Sequence, residues 1–209
     1  MAASDQGLRL YRHPLSGHCH RVELLLSLLA IPCQLVDVDF ASAEHKCAAF
    51  LAKNPFGQVP VLETSGFVLG DSNAILCYLA IEYDGERRWF PRGAAHVARI
   101  QRWLSVAAGE LAAGPAALRR ARVFRQKIDE PRARAVTDSL FGIMEQELAK
   151  GPFLAGEAPS IGDLAMYAYT ARAPEGGVSL EPYERIVQWL RRIEVLPRFI
   201  AMKGATTHV

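Results

Sequence analysis

The hydrophobic pattern changes its period partway along the chain, and that change limits the fold more than any other feature. Up to about Tyr83, short apolar runs suited to strands alternate with runs at helical spacing; beyond Gly93 only helical spacing remains. Leu8 to Tyr11 is ended by His13-Pro14, after which Val22, Leu25, Leu26, Leu28 and Leu29 repeat three and four apart until Pro32. Leu35, Val36, Val38 and Phe40 read as a second strand, and His45 to Ala52 as a short helix closed by Asn54-Pro55-Phe56-Gly57. Val59 to Leu62 and Phe67 to Leu69 make two strands around Ser65-Gly66, followed by a helix from Ser72 to about Tyr83. The order is βαβαββα. A charged stretch with Pro and Gly runs from Asp84 to Gly93 and marks a boundary. Residues 1–84 are therefore expected to form an α/β domain and residues 92–209 an all-helical bundle, with helices at Ala94 to Ala113, Arg132 to Lys150, Ile161 to Ala173 and Tyr183 to Glu194. Ser160-Ile161-Gly162-Asp163 places a hydroxyl three residues before a carboxylate, a capping box that starts the third of these helices.

Composition narrows the function. With 24 basic and 22 acidic residues among 209, the formal charge of +2 is too small for a field that would hold nucleic acid or an anionic membrane. The polar start, Met1 to Gly7, has no apolar core of a leader, and the richest apolar run, Val22 to Ile31, is about half a membrane span. Cys19, Cys33, Cys47 and Cys77 form no C-x-x-C pair, so neither a disulfide framework nor a zinc site is expected, and the chain reads as a cytoplasmic protein. His18, Cys19 and His20 invite a metal, but adjacent helical residues point apart and no further ligand spacing accompanies them; no metal is expected.

Three segments carry possible chemistry. In Val59-Pro60-Val61-Leu62 a proline opens a strand and removes a ladder donor there. With a cis Val59-Pro60 bond, the N–H and C=O of Val59 would face outward as half a ladder for an extended peptide; a plain edge-strand proline explains the same residues. Asp71-Ser72 follows a strand and opens a helix, which makes it either an ordinary N-cap or a seat for a carboxylate at the positive end of a helix dipole. Ser16 sits between the first strand and the first helix. In open α/β sheets ligands collect beyond the carboxyl ends of strands, so Ser16, Val59 and Ser72 can share one pocket.

Taken together these residues resemble the cytosolic glutathione S-transferases over nearly the whole chain. The likeness rests on Leu10-Tyr11 with Ser16 in the following turn, His45, Asn54-Pro55 with Gln58-Val59-Pro60, Asp71-Ser72, and the box from Ser160 to Asp163. It is nearest to serine-using theta-like and bacterial members, and it implies a thioredoxin-like first domain followed by an all-helical second one. It further implies that glutathione is the co-substrate, that Val59 pairs with its cysteinyl unit beside a cis Pro60, that Asp71 and Ser72 hold the γ-glutamyl end, and that His45 and Gln58 reach the glycyl end. Ser16 would be catalytic, donating its O–H to the sulfur, and His18, standing where many bacterial relatives carry asparagine, would bind glutathione as a further donor to the sulfur. A free thiol of pKa about 8.5 is mostly protonated at neutral pH, so the site must favour the anion; Arg21, one turn into the helix, either adds positive potential near the sulfur or forms a surface ion pair. Cys19 lies in the first turn of that helix, where a thiol is either a packed small residue or a redox group. Trp103 and Tyr167 are the candidates for contact with a small hydrophobic electrophile. The implied activity is conjugation, with peroxide or disulfide reduction, dehalogenation, or a non-catalytic interaction role on the same scaffold as alternatives. The resemblance also implies a homodimer, and Phe56 either projects into the partner or fills its own core.

Overall fold

The computed structural model describes residues 7–205; Met1–Gln6, which open the polar N-terminal stretch, and residues 206–209 lie outside the described residues. The first half comprises β1 (Leu8–Arg12), α1 (Gly17–Leu28), β2 (Cys33–Asp37), α2 (Ala48–Leu51), β3 (Val61–Glu63), β4 (Val68–Gly70) and α3 (Ser72–Glu82). The sheet order is β2-β1-β3-β4, with β1 and β2 parallel and the other pairs antiparallel. This is the βαβαββα order that the sequence pattern predicts and the thioredoxin-like arrangement that the resemblance implies. Leu8, Leu10 and Leu62 belong to the core that also takes in α1 and α3, whereas Tyr11 packs on a second cluster with Val38, Phe50 and Val61. The period of two along a strand is what separates these two layers.

The register gathers the three candidate segments. Tyr11 pairs with Val61, and Val61 pairs with Gly70. The end of β1, the start of β3 and the end of β4 therefore lie side by side at one edge of the sheet. The chain leaves β1 toward Ser16, enters β3 from Val59-Pro60, and leaves β4 into Asp71-Ser72, so all three reach that edge from far-apart positions in sequence.

The second half is helical: α4 (Ala94–Ala108), α5 (Glu110–Ala113), α6 (Pro115–Phe124), α7 (Glu130–Leu148), α8 (Ile161–Ala171) and α9 (Glu184–Glu194). Two local readings are corrected. The helix expected over Ala94 to Ala113 breaks at Gly109 (φ −95°, ψ −94°), and α6 follows, a helix that the spacing analysis does not single out. In the first half the expected helix over His45 to Ala52 is a 3₁₀ turn at Glu44–Lys46 and then α2, separated by the extended Cys47. Gly57, at φ 59°, lies over that break so closely that a Cβ there would come within 2.8 Å of the His45 carbonyl.

The centre of the molecule is α8, whose residues 161–170 are all buried and which packs against both α1 and α4. Its start is the expected capping box. The Asp163 carboxylate accepts from the Ser160 amide, the Ser160 hydroxyl, the Leu154 amide and Trp189 Nε1, all at 2.9 Å. The tail returns to α1: Ser27 Oγ donates to the Arg198 carbonyl at 2.7 Å, and His20 Nε2 lies 2.9 Å from that of Ile200. No helix among the described residues is long and apolar enough to cross a membrane.

Candidate functional site

At the sheet edge lies a cavity of about 710 Å³, and Ser16, His18, His45, Gln58, Val59, Pro60, Asp71 and Ser72 all line it. A second hollow of about 820 Å³, between the segment after α8 and α9, gathers none of them. The larger volume is therefore not where the chemistry-bearing residues meet.

Ser16 is the N-cap of α1, and its Oγ accepts from the Cys19 amide at 3.3 Å, leaving the hydroxyl hydrogen available to another acceptor. Among the described residues no partner is seen for the amides of Gly17 and His18. This helix end thus offers a hydroxyl, free N–H groups and the positive pole of a dipole to one point in the cavity. His18 places Nδ1 3.5 Å from Ser72 Oγ and its ring edge-on to Tyr169. Burial, with Arg21 and Arg120 nearby, lowers its pKa to about 3, so at neutral pH it is an uncharged hydrogen-bonding group. Cys19 is sealed in the core, accepts from the His13 amide at 3.4 Å, and is pushed up to about 12 by burial. A thiol so placed packs; it does not form a thiolate. His20 faces the C-terminal tail, so His18, Cys19 and His20 point to three different places.

At the neighbouring helix end Asp71 is the N-cap of α3 and holds φ 71°, uncommon for a residue with a Cβ. One of its carboxylate oxygens accepts the amides of Asn73 and Ala74, each at 2.9 Å. Arg21 lies beneath, fully buried: Nη1 donates to Ser72 Oγ at 3.3 Å and to Asn73 Oδ1 at 2.9 Å, while Nε and Nη2 have no partner among the described residues. Burial lowers its pKa only to about 10, so it remains a cation at neutral pH. Of the two sequence-based readings of Arg21, the surface ion pair is therefore replaced by an interior charge beneath Ser72.

The opposite wall carries Val59, whose bond to Pro60 is cis and whose N–H and C=O find no backbone partner among the described residues. Asn54 Nδ2 fixes the turn by donating to the Gln58 carbonyl at 2.8 Å. His45 stacks on Phe40 at 4.1 Å with a buried, unpartnered Nδ1. Lys46 lines the cavity beside it and donates to the Gly57 carbonyl at 3.3 Å. Tyr11, by contrast, donates to Glu63 at 2.8 Å in the other layer of the sheet.

Trp103 and Tyr167 are not brought to the cavity. Both are buried, Trp103 donating to the Leu154 carbonyl at 2.7 Å and Tyr167 to Glu194 at 2.9 Å. The helical half instead contributes Arg120, Phe124 and Tyr169 to the cavity wall. Lys46 had a signal, a cation next to His45. Tyr169 had none, because a helix buried on every side shows no preferred face in its spacing.

Residues 6–81 match the family described as glutathione S-transferase, N-terminal domain, and residues 94–192 match glutathione S-transferase, C-terminal domain. Glutathione S-transferase 3 of Zea mays is 29% identical over 204 residues, covering 92% of this chain and 91% of that protein. Glutathione S-transferase theta-2 of Homo sapiens is 28% identical, over 90% of this chain and 81% of that one. The crystal structure of a glutathione S-transferase from Pseudomonas fluorescens is similar with a TM-score of 0.87 at 32% identity, covering 94% of this chain and 99% of the other. With both halves matched and the fold shared over 94% of its length, the chain belongs to the glutathione S-transferase family.

Proposed function

We propose that this protein is a glutathione transferase that adds the glutathione thiolate to small hydrophobic electrophiles in the cytoplasm. In this reading residues 1–84 bind glutathione and residues 92–209 supply the electrophile wall. The carrying observation is convergence: eight residues from four separated segments line one cavity that also holds an unpaired stretch of backbone at Val59.

The chemistry follows from the donors. Glutathione is an extended peptide with two carboxylates, one amine and one thiol. The free Val59 backbone suits pairing with its cysteinyl unit. The start of α3, with Ser72 above the interior charge of Arg21, suits the γ-glutamyl carboxylate, and the remaining oxygen of Asp71 suits the amine. His45, Lys46 and Gln58 supply donors for the glycyl carboxylate. The sulfur then falls to the start of α1, where the Ser16 hydroxyl and the unpaired amides of Gly17 and His18 favour the anion. Lowering a thiol pKa by ~2 units takes about 2.7 kcal/mol, within reach of a charge-assisted hydrogen bond plus a helix terminus. The proton leaves to water, so no protein base is needed. Chemistry at Cys19 has no support, since its thiol neither reaches the cavity nor ionises.

The reading is tested by ultraviolet titration of glutathione bound to the wild type and to Ser16→Ala. Thiolate absorbance should develop below the pKa of free glutathione in the wild type, and the midpoint should rise by about 1–2 units in the variant. No binding of glutathione, or the same midpoint in both, is incompatible with this assignment.

A further inference from the structure

A tyrosine hydroxyl sealed in a core needs a partner in the protein, whereas one at a cavity wall keeps its hydrogen for a ligand. Tyr11 meets Glu63 and Tyr167 meets Glu194; Tyr169, only 3% exposed, makes no hydrogen bond to any described residue, and its oxygen is not among the sealed, unpartnered atoms of the interior. Its position is specific. The far end of its ring lies against the first turn of α1, so close that a Cβ on Gly17 would come within 2.9 Å of it. The ring also meets His18 edge-on at 5.1 Å, and the residue lines the cavity with Ser16. Arg120 borders the same space; its guanidinium touches the Ala112 carbonyl at 3.4 Å and no carboxylate among the described residues. The tip of the ring therefore sits beside the helix end that holds the sulfur, in positive surroundings.

We infer that Tyr169 is a second catalytic hydroxyl, donating to the oxygen that becomes negative when the thiolate adds to an α,β-unsaturated carbonyl compound. This rests on the conjugation reading and names its substrate class. The sulfur forms a bond to the β-carbon, the C=C electron pair moves toward the carbonyl carbon, and the C=O pair moves onto oxygen as an enolate. The α-carbon then takes a proton from water, and Tyr169 keeps its own. Burial raises the phenol pKa against the pull of Arg21, Arg120 and Arg119, so the hydroxyl is a donor at neutral pH while those cations favour charge on its acceptor.

The test compares trans-2-hexenal with benzyl chloride, whose negative charge leaves on chloride, in the wild type and Tyr169→Phe. The variant keeps the ring that packs on Gly17 and His18. Its kcat/KM should fall about 100-fold for hexenal and no more than about twofold for benzyl chloride, with the bound-thiolate titration unmoved. Equal losses for both substrates, or full activity toward hexenal, overturn the role of Tyr169 and leave the conjugation reading intact. Wild type that conjugates benzyl chloride but not hexenal overturns the substrate class. Wild type that binds no glutathione overturns the conjugation reading itself, and this inference with it.

Discussion

Gly17 shows how much one missing side chain matters. In the first turn of α1 an alanine would be the better helix former by about 1 kcal/mol. Here a Cβ would stand 2.8 Å from the Tyr169 ring, which is packed in the core and 3% exposed. Overpacking of this kind costs about 1–3 kcal/mol, so the steric term outweighs propensity. Gly17→Ala should be less stable than wild type in urea unfolding, and an unchanged or raised midpoint would contradict the contact. The eight expected residues that line the cavity are legible because each sits at a turn, a cap or beside a strand start, where sequence signals are local. Trp103 and Tyr167 were misleading for the opposite reason. An aromatic residue on a buried helix gives the same spacing whether it faces a cavity or a neighbouring helix, and both of these found hydrogen-bond partners inside the core.

Between elements, α6 reaches the turn before α1 through Phe124, edge-on to His13 at 5.8 Å, and through one buried guanidinium. Arg119 is fully buried; Nη1 donates to the Leu15 carbonyl at 2.8 Å and Nε to Glu175 at 2.8 Å. Removing the charge would leave Glu175 with its weaker pairing to Arg172 at 3.5 Å and the Ala205 amide at 3.4 Å, and would free the turn just before Ser16. Arg119→Met should lose about 3 kcal/mol of stability, and Arg119→Met with Glu175→Gln should recover part of that loss. Simple additivity of the two changes would show that the pair is not coupled. The element carrying Arg119 is the one the sequence left unread. Gly114-Pro115 looks like a loop, and the three arginines of α6 blur its apolar stripe; yet Pro115 stands in the first turn of α6, where a missing N–H costs nothing. The order of the strands and α1 agrees with their period and stops, but the bounds shift: β2 ends at Asp37, before the expected Val38 and Phe40, and β3 begins at Val61, after Val59-Pro60. Helix breaks such as Gly109 come instead from packing between helices, which spacing along one helix does not record.

At the scale of the whole molecule, two features stand out: the seam between the tail and α1, and an exposed apolar face. The tail is fastened to α1 through His20, whose Nδ1 is buried without a partner and whose pKa is lowered to about 4 by that burial. Since the unfolded value is near 6.5, the unfolded chain binds the extra proton first, and stability falls as pH drops from about 6.5 toward about 4. The slope from this group approaches about 1.4 kcal/mol per pH unit. Urea unfolding of the wild type and His20→Gln at about pH 7 and about pH 5.5 should show the wild type losing more, by an amount of that order; the difference between the two chains removes the opposing contributions of Glu23 and Asp163, whose pKa values burial raises. Equal slopes would mean that the buried ring does not titrate in this range. The exposed face lies on and beside β4 and α3, where Phe67, Val68, Ile81 and Tyr83 are 40–44% exposed, and Phe56, in the loop before Val59, is 77% exposed. A phenylalanine so exposed leaves a large apolar surface in water unless a second subunit covers it. We propose that two copies pair through this face and that Phe56 enters the partner rather than its own core. An anchor of that kind is worth at least about 2 kcal/mol, so Phe56→Ala should weaken the dimer by about 30-fold or more. Gel filtration of both chains over a range of concentrations reads this directly: the wild type should elute as a dimer at dilutions where the variant has become a monomer. A wild-type chain that stays monomeric at every concentration would show that Phe56 serves neither a partner nor the core.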